Sequence, residues 1–122
     1  MLLVDTSVWI DHLRRGNGRL ATLLHDASVL CHPFVVGELA CGNLSERDRI
    51  LHLLAALPAT PVAEHDEVME LIRRHELHGK GLGWVDMHLL ASSRLAGCAL
   101  WTLDRRLENT ATTLIESDRG TR

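Results

Sequence analysis

Three short apolar runs punctuate the chain: LLVD at positions 2–5, SVLCH at 28–32 and CALWTL at 98–103. Each has the length and aliphatic content of a buried strand. Between them apolar residues recur every three or four positions, the period of a helix with one buried face. The pattern predicts helices over SVWIDHLRR (7–15), RLATLLHDA (19–27), FVVGELACG (34–42), ERDRILHLLAAL (46–57), HDEVMELIRRHELHG (65–79) and WVDMHLLASSRLAG (84–97). A short helix DRRLENT (104–110) follows, with the tail after about residue 112 left loose. Punctuation agrees with these bounds. Thr6 or Ser7 can cap the first helix and Gly16-Asn17-Gly18 end it; Pro33 suits a first helical position; Ser45 can cap the fourth helix and Pro58 stop it; GKGLG at 79–83 is a turn. Strands separated by helices predict a mostly parallel sheet covered on both faces, because parallel strands need crossover connections.

Composition narrows the class. At 122 residues, 46% hydrophobic and 24% charged, the chain fits one globular domain spanning 1–122. With three Trp, one Phe and no Tyr, the core must be aliphatic. Cys31, Cys41 and Cys98 form no CxxC pair, so neither a disulfide framework nor a zinc ribbon is indicated, and apolar surroundings assign them to the core. No apolar run reaches the length of a membrane span and no leader pattern opens the chain, so a cytoplasmic protein is expected. His75 and His78 lack further ligands at zinc spacing and read as surface residues. Trp9, Trp84 and Trp101 sit in apolar patterns and read as core.

Four acids stand where acids are awkward. Asp5 closes the first strand and Asp104 follows the last, so both would enter one crevice if those strands are neighbours, since ligands of open parallel sheets bind beyond the carboxyl ends of the strands. Each could equally cap the helix that follows it. Glu38 has Phe34, Val35, Cys41 and Gly42 at helical spacing; Asp86 has Leu82, Gly83, Leu89 and Leu90. Both therefore fall on apolar faces, and a buried carboxylate must be protonated, paired or bound to a cation. Basic partners would have to come from Lys80, Arg94, Arg105 or Arg106. A divalent ion is the simpler partner, and hard oxygen ligands favour Mg2+ or Mn2+ over Zn2+. The net charge of −3 argues mildly against a nucleic-acid partner, yet neutralising those four acids would turn it into +1.

The segments LLVDTSVWID, PFVVGELACG, WVDMHLLASSRLAG and LWTLDRRL, in this order over residues 2–107, resemble the PIN-domain ribonucleases, and among them the VapC-type toxins of toxin–antitoxin pairs. The resemblance implies a three-layer α/β/α sandwich and Mg2+-dependent endonucleolytic cleavage of RNA. It makes Asp5 and Asp86 the principal metal ligands, with Glu38 and Asp104 completing the acidic pocket, partly through water. Thr6, Ser7 and Thr102 match the small polar residues that support these acids. It further implies a homodimer, a VapB-type antitoxin whose C-terminal segment enters the active-site groove, and structured RNA such as tRNA as substrate. Many relatives carry a further acid two residues after the last motif aspartate; here that position is Arg106, which argues for one firm ion rather than two. Arg105 and Arg106 are candidates for flanking phosphates.

The implied chemistry is hydrolysis by metal-activated water, with Glu38 or Asp104 as proton acceptor. Two rivals stand beside it. A non-catalytic PIN-like module would bind RNA or protein without cutting, although all four acids are present. A phosphatase or receiver-like domain would use Asp5 as phosphoryl acceptor, but the second nearby Asp and the late Lys expected there are missing from DTSVW and LWTLD.

Overall fold

The computed structural model describes residues 1–120. Three parallel strands, β1 (Leu2–Val4), β2 (Val29–Leu30) and β3 (Ala99–Trp101), form a sheet in the order β2-β1-β3. The central β1 pairs Leu2 with Val29 on one side, and Leu2, Leu3 and Val4 with Ala99, Leu100 and Trp101 on the other. Strand order therefore reverses about β1, whose carboxyl end opens into the crevice where ligands of such sheets bind. At the far edge an isolated parallel bridge joins Cys31 to Ala59, so the chain just after Pro58 runs briefly alongside the end of β2.

Seven helices cover the sheet among the described residues: α1 (Thr6–Arg15), α2 (Gly18–His25), α3 (Pro33–Cys41), α4 (Arg47–Ala55), α5 (His65–Arg74), α6 (Trp84–Ala96) and α7 (Arg105–Gly120). Their apolar faces build two clusters. One gathers Leu3 and Val4 of β1 with Val8, Trp9, Leu20, Val35, Leu39 and Leu54 from α1–α4; the other gathers Val68, Met87, Leu90, Leu107 and Leu114 from α5, α6 and α7. The expected α/β/α sandwich is the observed fold. Each fully buried leucine contributes roughly 2 kcal/mol of apolar burial, so the scaffold that carries the strand ends is well anchored.

Several boundaries differ from the pattern's prediction. Helix α7 runs through residue 120 rather than stopping near 110, because Leu107, Thr110 and Leu114 continue a buried stripe. Two of its three threonines bond back, Thr110 to the Arg106 carbonyl and Thr113 to that of Asn109, both at 2.9 Å. The expectation of a loose tail is corrected up to residue 120; the two residues after it lie outside those described. Helix α5 ends at Arg74 because Glu76 takes a left-handed conformation (φ 51°). Helix α4 is entered through Glu46, also left-handed (φ 50°), and Ser45 does not cap it.

Candidate active site

The end of β1 is locked to the end of β3 through one carboxylate. Asp5 occupies the N-cap position of α1, yet its side chain makes no capping bond to that helix. Instead its Oδ2 accepts from the Thr102 hydroxyl at 2.7 Å and from the Ser7 hydroxyl at 2.8 Å. Each hydroxyl has a single proton, so the 3.3 Å approach of Ser7 to Thr102 is a consequence of sharing Asp5, not a further bond. The same two oxygens accept backbone protons, Ser7 from Leu103 and Thr102 from Asp104, both at 3.0 Å. Asp5 is 7% exposed, and its Oδ1 has no hydrogen-bond partner among the described residues. The capping alternative for Asp5 is thus excluded, and Ser7 and Thr102 are the groups that orient it.

Asp86 enters from α6. Its Oδ2 accepts the Gly83 N–H at 2.9 Å at the start of that helix, leaving the other oxygen unengaged among the described residues. Burial first of all pushes its carboxyl above the ordinary 3.8; the Gly83 bond and Arg106 oppose this, while the charges of Asp5 and Asp104 add to it. Acids 81 and 18 residues away from Asp86 therefore act on it as neighbours.

Asp104 is exposed and does cap: its Oδ1 accepts from Arg106 N–H at 2.9 Å and from Leu107 N–H at 3.3 Å at the start of α7. Its other oxygen stays unengaged among the described residues. Glu38 corrects an expectation. Val35 and Leu39 turn into the core from α3, but Glu38 between them is exposed, so no buried charge compels a counter-ion there. It is joined to the site through Thr6, whose hydroxyl donates to Glu38 Oε1 at 2.6 Å and ties α3 to the first turn of α1. Among the described residues no group of three His, Cys, Asp or Glu side chains is placed to hold a metal ion. The site is an open acidic cleft in which Asp5, Asp86 and Asp104 share a field and Glu38 stands at its margin.

Other side chains fall differently from their patterns. Trp9 is buried and Trp101 partly so, under the Arg19 guanidinium 4.4 Å from its ring centroid. Trp84 is 41% exposed instead of lying in the core, its ring tilted against that of His65 and nearly perpendicular to that of His88. Cys31 is buried as expected, whereas Cys41 is exposed. Arg105 is exposed with no bonded partner among the described residues, and Arg94 is engaged by Asp118 at 2.6 Å. Arg106 alone of the candidate bases reaches the acids within the described residues, its guanidinium resting on Gly81. Sequence reasoning missed His32, fully buried beneath the site's scaffold. Its Nδ1 accepts from Phe34 N–H at 2.9 Å, so the ring proton is on Nε2, which donates to Ser92 Oγ at 3.1 Å. Burial, then the nearby His88, lower its pKa from 6.5 to about 4. The signal available was a histidine directly before Pro33 at a strand-to-helix junction.

The PIN-domain sequence pattern matches residues 2–112. The chain belongs to the PIN-domain family. Within that family its kinship is to the VapC type: it is 54% identical over 109 residues to "Ribonuclease VapC32" of two Mycobacterium tuberculosis strains, a match covering 88% of each chain. The PIN fold is also seen in two solved structures. "Structure of FitAB bound to IR36 DNA fragment" superposes with a TM-score of 0.66 at 21% identity, over 92% of this chain and 91% of that one. "Crystal Structure of FitAcB from Neisseria gonorrhoeae" gives 0.64 at 23% identity, over 92% and 94%. No helix of this PIN domain, among the described residues, is long and apolar enough to cross a membrane.

Proposed function

We propose that this PIN domain is a metal-dependent endoribonuclease, the toxin of a toxin–antitoxin pair. The observation that carries the reading is the convergence of Asp5, Asp86 and Asp104 from three separate segments, where burial first, and then the charges of Asp5 and Asp104, raise the Asp86 carboxyl above its ordinary value. Kinship to a ribonuclease of VapC type supports the substrate class. An antitoxin partner, a homodimer and a cytoplasmic location belong to the same reading.

The donor set fits a hard divalent ion. Carboxylates that repel one another and each keep an unengaged oxygen are what Mg2+ or Mn2+ takes, with waters completing the shell. Asp5 and Asp86 would hold it, with Asp104 and Glu38 reached through water. When bound, the ion supplies a water of lowered pKa and polarises a phosphate oxygen. The chain's own residues do the rest. Ser7 and Thr102 fix Asp5 so that no carboxylate rotation is needed on binding. Gly83 does the same for Asp86. Glu38, steadied by Thr6, and Asp104, steadied by the α7 backbone, each retain an oxygen that can accept the proton of an attacking water.

The test is cleavage of RNA by purified protein with Mg2+ or Mn2+. Activity is expected to stop with EDTA and to fall by at least about a hundredfold in Asp5→Asn and Asp86→Asn, both remaining folded. Parental rates in either variant would refute the assigned roles, and an RNA-binding protein that never cuts would favour the non-catalytic alternative.

A further inference from the structure

We propose that Arg106, seated on Gly81, is the residue that grips the RNA phosphate at the acidic cleft, its guanidinium donating to non-bridging oxygens beside Asp86. The proposal rests on the ribonuclease reading and assigns within it a residue whose type the family resemblance did not anticipate.

Three observations lead here. The first is the seat. Gly81 has φ +78°, and a Cβ built on it would collide with Arg106 Nη1 and lie 3.2 Å from Cζ and 3.4 Å from Cδ. The missing side chain thus makes room for the whole end of the arginine. Gly79, in the same turn with φ +72°, has nothing within 4 Å, so backbone freedom alone does not explain why the second glycine meets the guanidinium. The second is location. Gly81 leads directly to Gly83, whose N–H is bonded to Asp86, and Arg106 begins α7 two residues after Asp104, with its own N–H on that carboxylate. Arg106 is thereby placed at the rim of the cleft, and its charge reaches Asp86.

The third is availability. Among the described residues no ion pair or side-chain hydrogen bond engages the Arg106 guanidinium, although acids stand nearby. An arginine serving only to neutralise Asp86 would make a forked bridge to it, the geometry that guanidinium and carboxylate favour. This one is exposed and rests against Gly81, with no bonded partner for its donors among the described residues. The neighbouring bases are otherwise disposed: Arg94 is bonded to Asp118, and Lys80 lines a separate hollow with His75 and Leu77. Carboxylates repel a phosphodiester, so a fixed positive charge on the rim is what a phosphate needs to approach them. Arg106 takes no part in bond making; it positions the phosphate.

The experiment uses the full chain carrying Asp5→Asn, which keeps RNA intact, and a fluorescein-labelled single-stranded RNA followed by anisotropy across a salt series. Arg106→Ala is expected to weaken binding roughly tenfold and to flatten the dependence of log K on log salt by about 0.7, the loss of one phosphate contact on a single strand. Arg106→Lys restores the salt slope but only part of the affinity, since it keeps the charge and loses the fork. Gly81→Ala, which displaces the guanidinium but keeps its charge, weakens binding less than Arg106→Ala and leaves the salt slope near the parent's, whereas Gly79→Ala, also at a positive φ and with no arginine to displace, binds RNA like the parent. Equal RNA binding in the parent and Arg106→Ala overturns the proposal and leaves the ribonuclease reading intact. Tighter binding in Arg106→Ala also overturns it, making the arginine a guard against RNA. Absence of RNA binding and cleavage in every version, wild type included, overturns the reading and the proposal together.

Discussion

Replacing Thr102 by valine tests how the site is held open for work. The substitution keeps the branched shape and deletes one hydroxyl, which donates to Asp5 Oδ2 at 2.7 Å and accepts Asp104 N–H at 3.0 Å. Thr102 is 4% exposed and Asp5 nearly as enclosed, so water cannot readily replace the lost donor. A hydrogen bond to a charged group contributes about 1.5–3 kcal/mol, and the exposed Asp104 side of the bond is refilled by solvent at little cost. The expected loss is about 2 kcal/mol, or roughly 8 °C in melting temperature for a domain of this size. Denaturant titration and thermal melts followed by circular dichroism give the two numbers. Because the hydroxyl acts through the carboxylate charge, the same change in an Asp5→Asn background should cost at least about 1 kcal/mol less, a coupling read from the double-mutant cycle. A loss under about 0.5 kcal/mol in the parent, or an undiminished loss in the Asp5→Asn background, would refute the lock.

Two predictions concern pH. With its carboxyl held above 3.8 by burial and then by Asp5 and Asp104, Asp86 binds a proton more readily in the folded chain than in the unfolded one. Metal-free stability should therefore decline as pH rises from 3.8 through the folded value. Asp86→Asn removes that decline and is more stable than the parent in EDTA near neutrality; an unchanged difference between the two across this range would contradict it. His32 acts in the opposite sense: with its pKa lowered from 6.5 to about 4, its contribution is complete above 6.5 and is lost as pH falls through that window, roughly 2 kcal/mol by about pH 5. A proton NMR titration of the His32 ring should find its midpoint near 4 and its proton on Nε2; a midpoint close to 6.5 would reject the buried neutral form.

What the sequence disclosed followed from how directly local pattern reports structure. LLVD and LWTLD announced strand ends because aliphatic runs stopped at acids; that the two strands are neighbours was left open, and the structure pairs β1 with β3, Val4 opposite Trp101. Asp86 was legible from its helical neighbours Leu89 and Leu90, both buried. The same inference failed for Glu38, since α3 is apolar nearly all round and spacing on such a helix cannot say which side meets the sheet. Helix α7 runs beyond the short DRRLENT helix expected, because the back-bonds of Thr110 and Thr113 and the Leu107–Leu114 stripe carry it onward. The pairing of Arg106 with Gly81, and of His32 with Ser92, joins residues distant in the chain, and nothing in either local pattern encodes such a contact.

In the proposed function a divalent ion joins Asp5 and Asp86. Calorimetric titration of the metal-free protein with Mn2+ addresses this without any assumption about the RNA. One ion per chain is predicted, with uptake lost or at least about tenfold weaker in Asp86→Asn and in Asp5→Asn. No detectable uptake by the parent, or uptake unchanged in both variants, would contradict it.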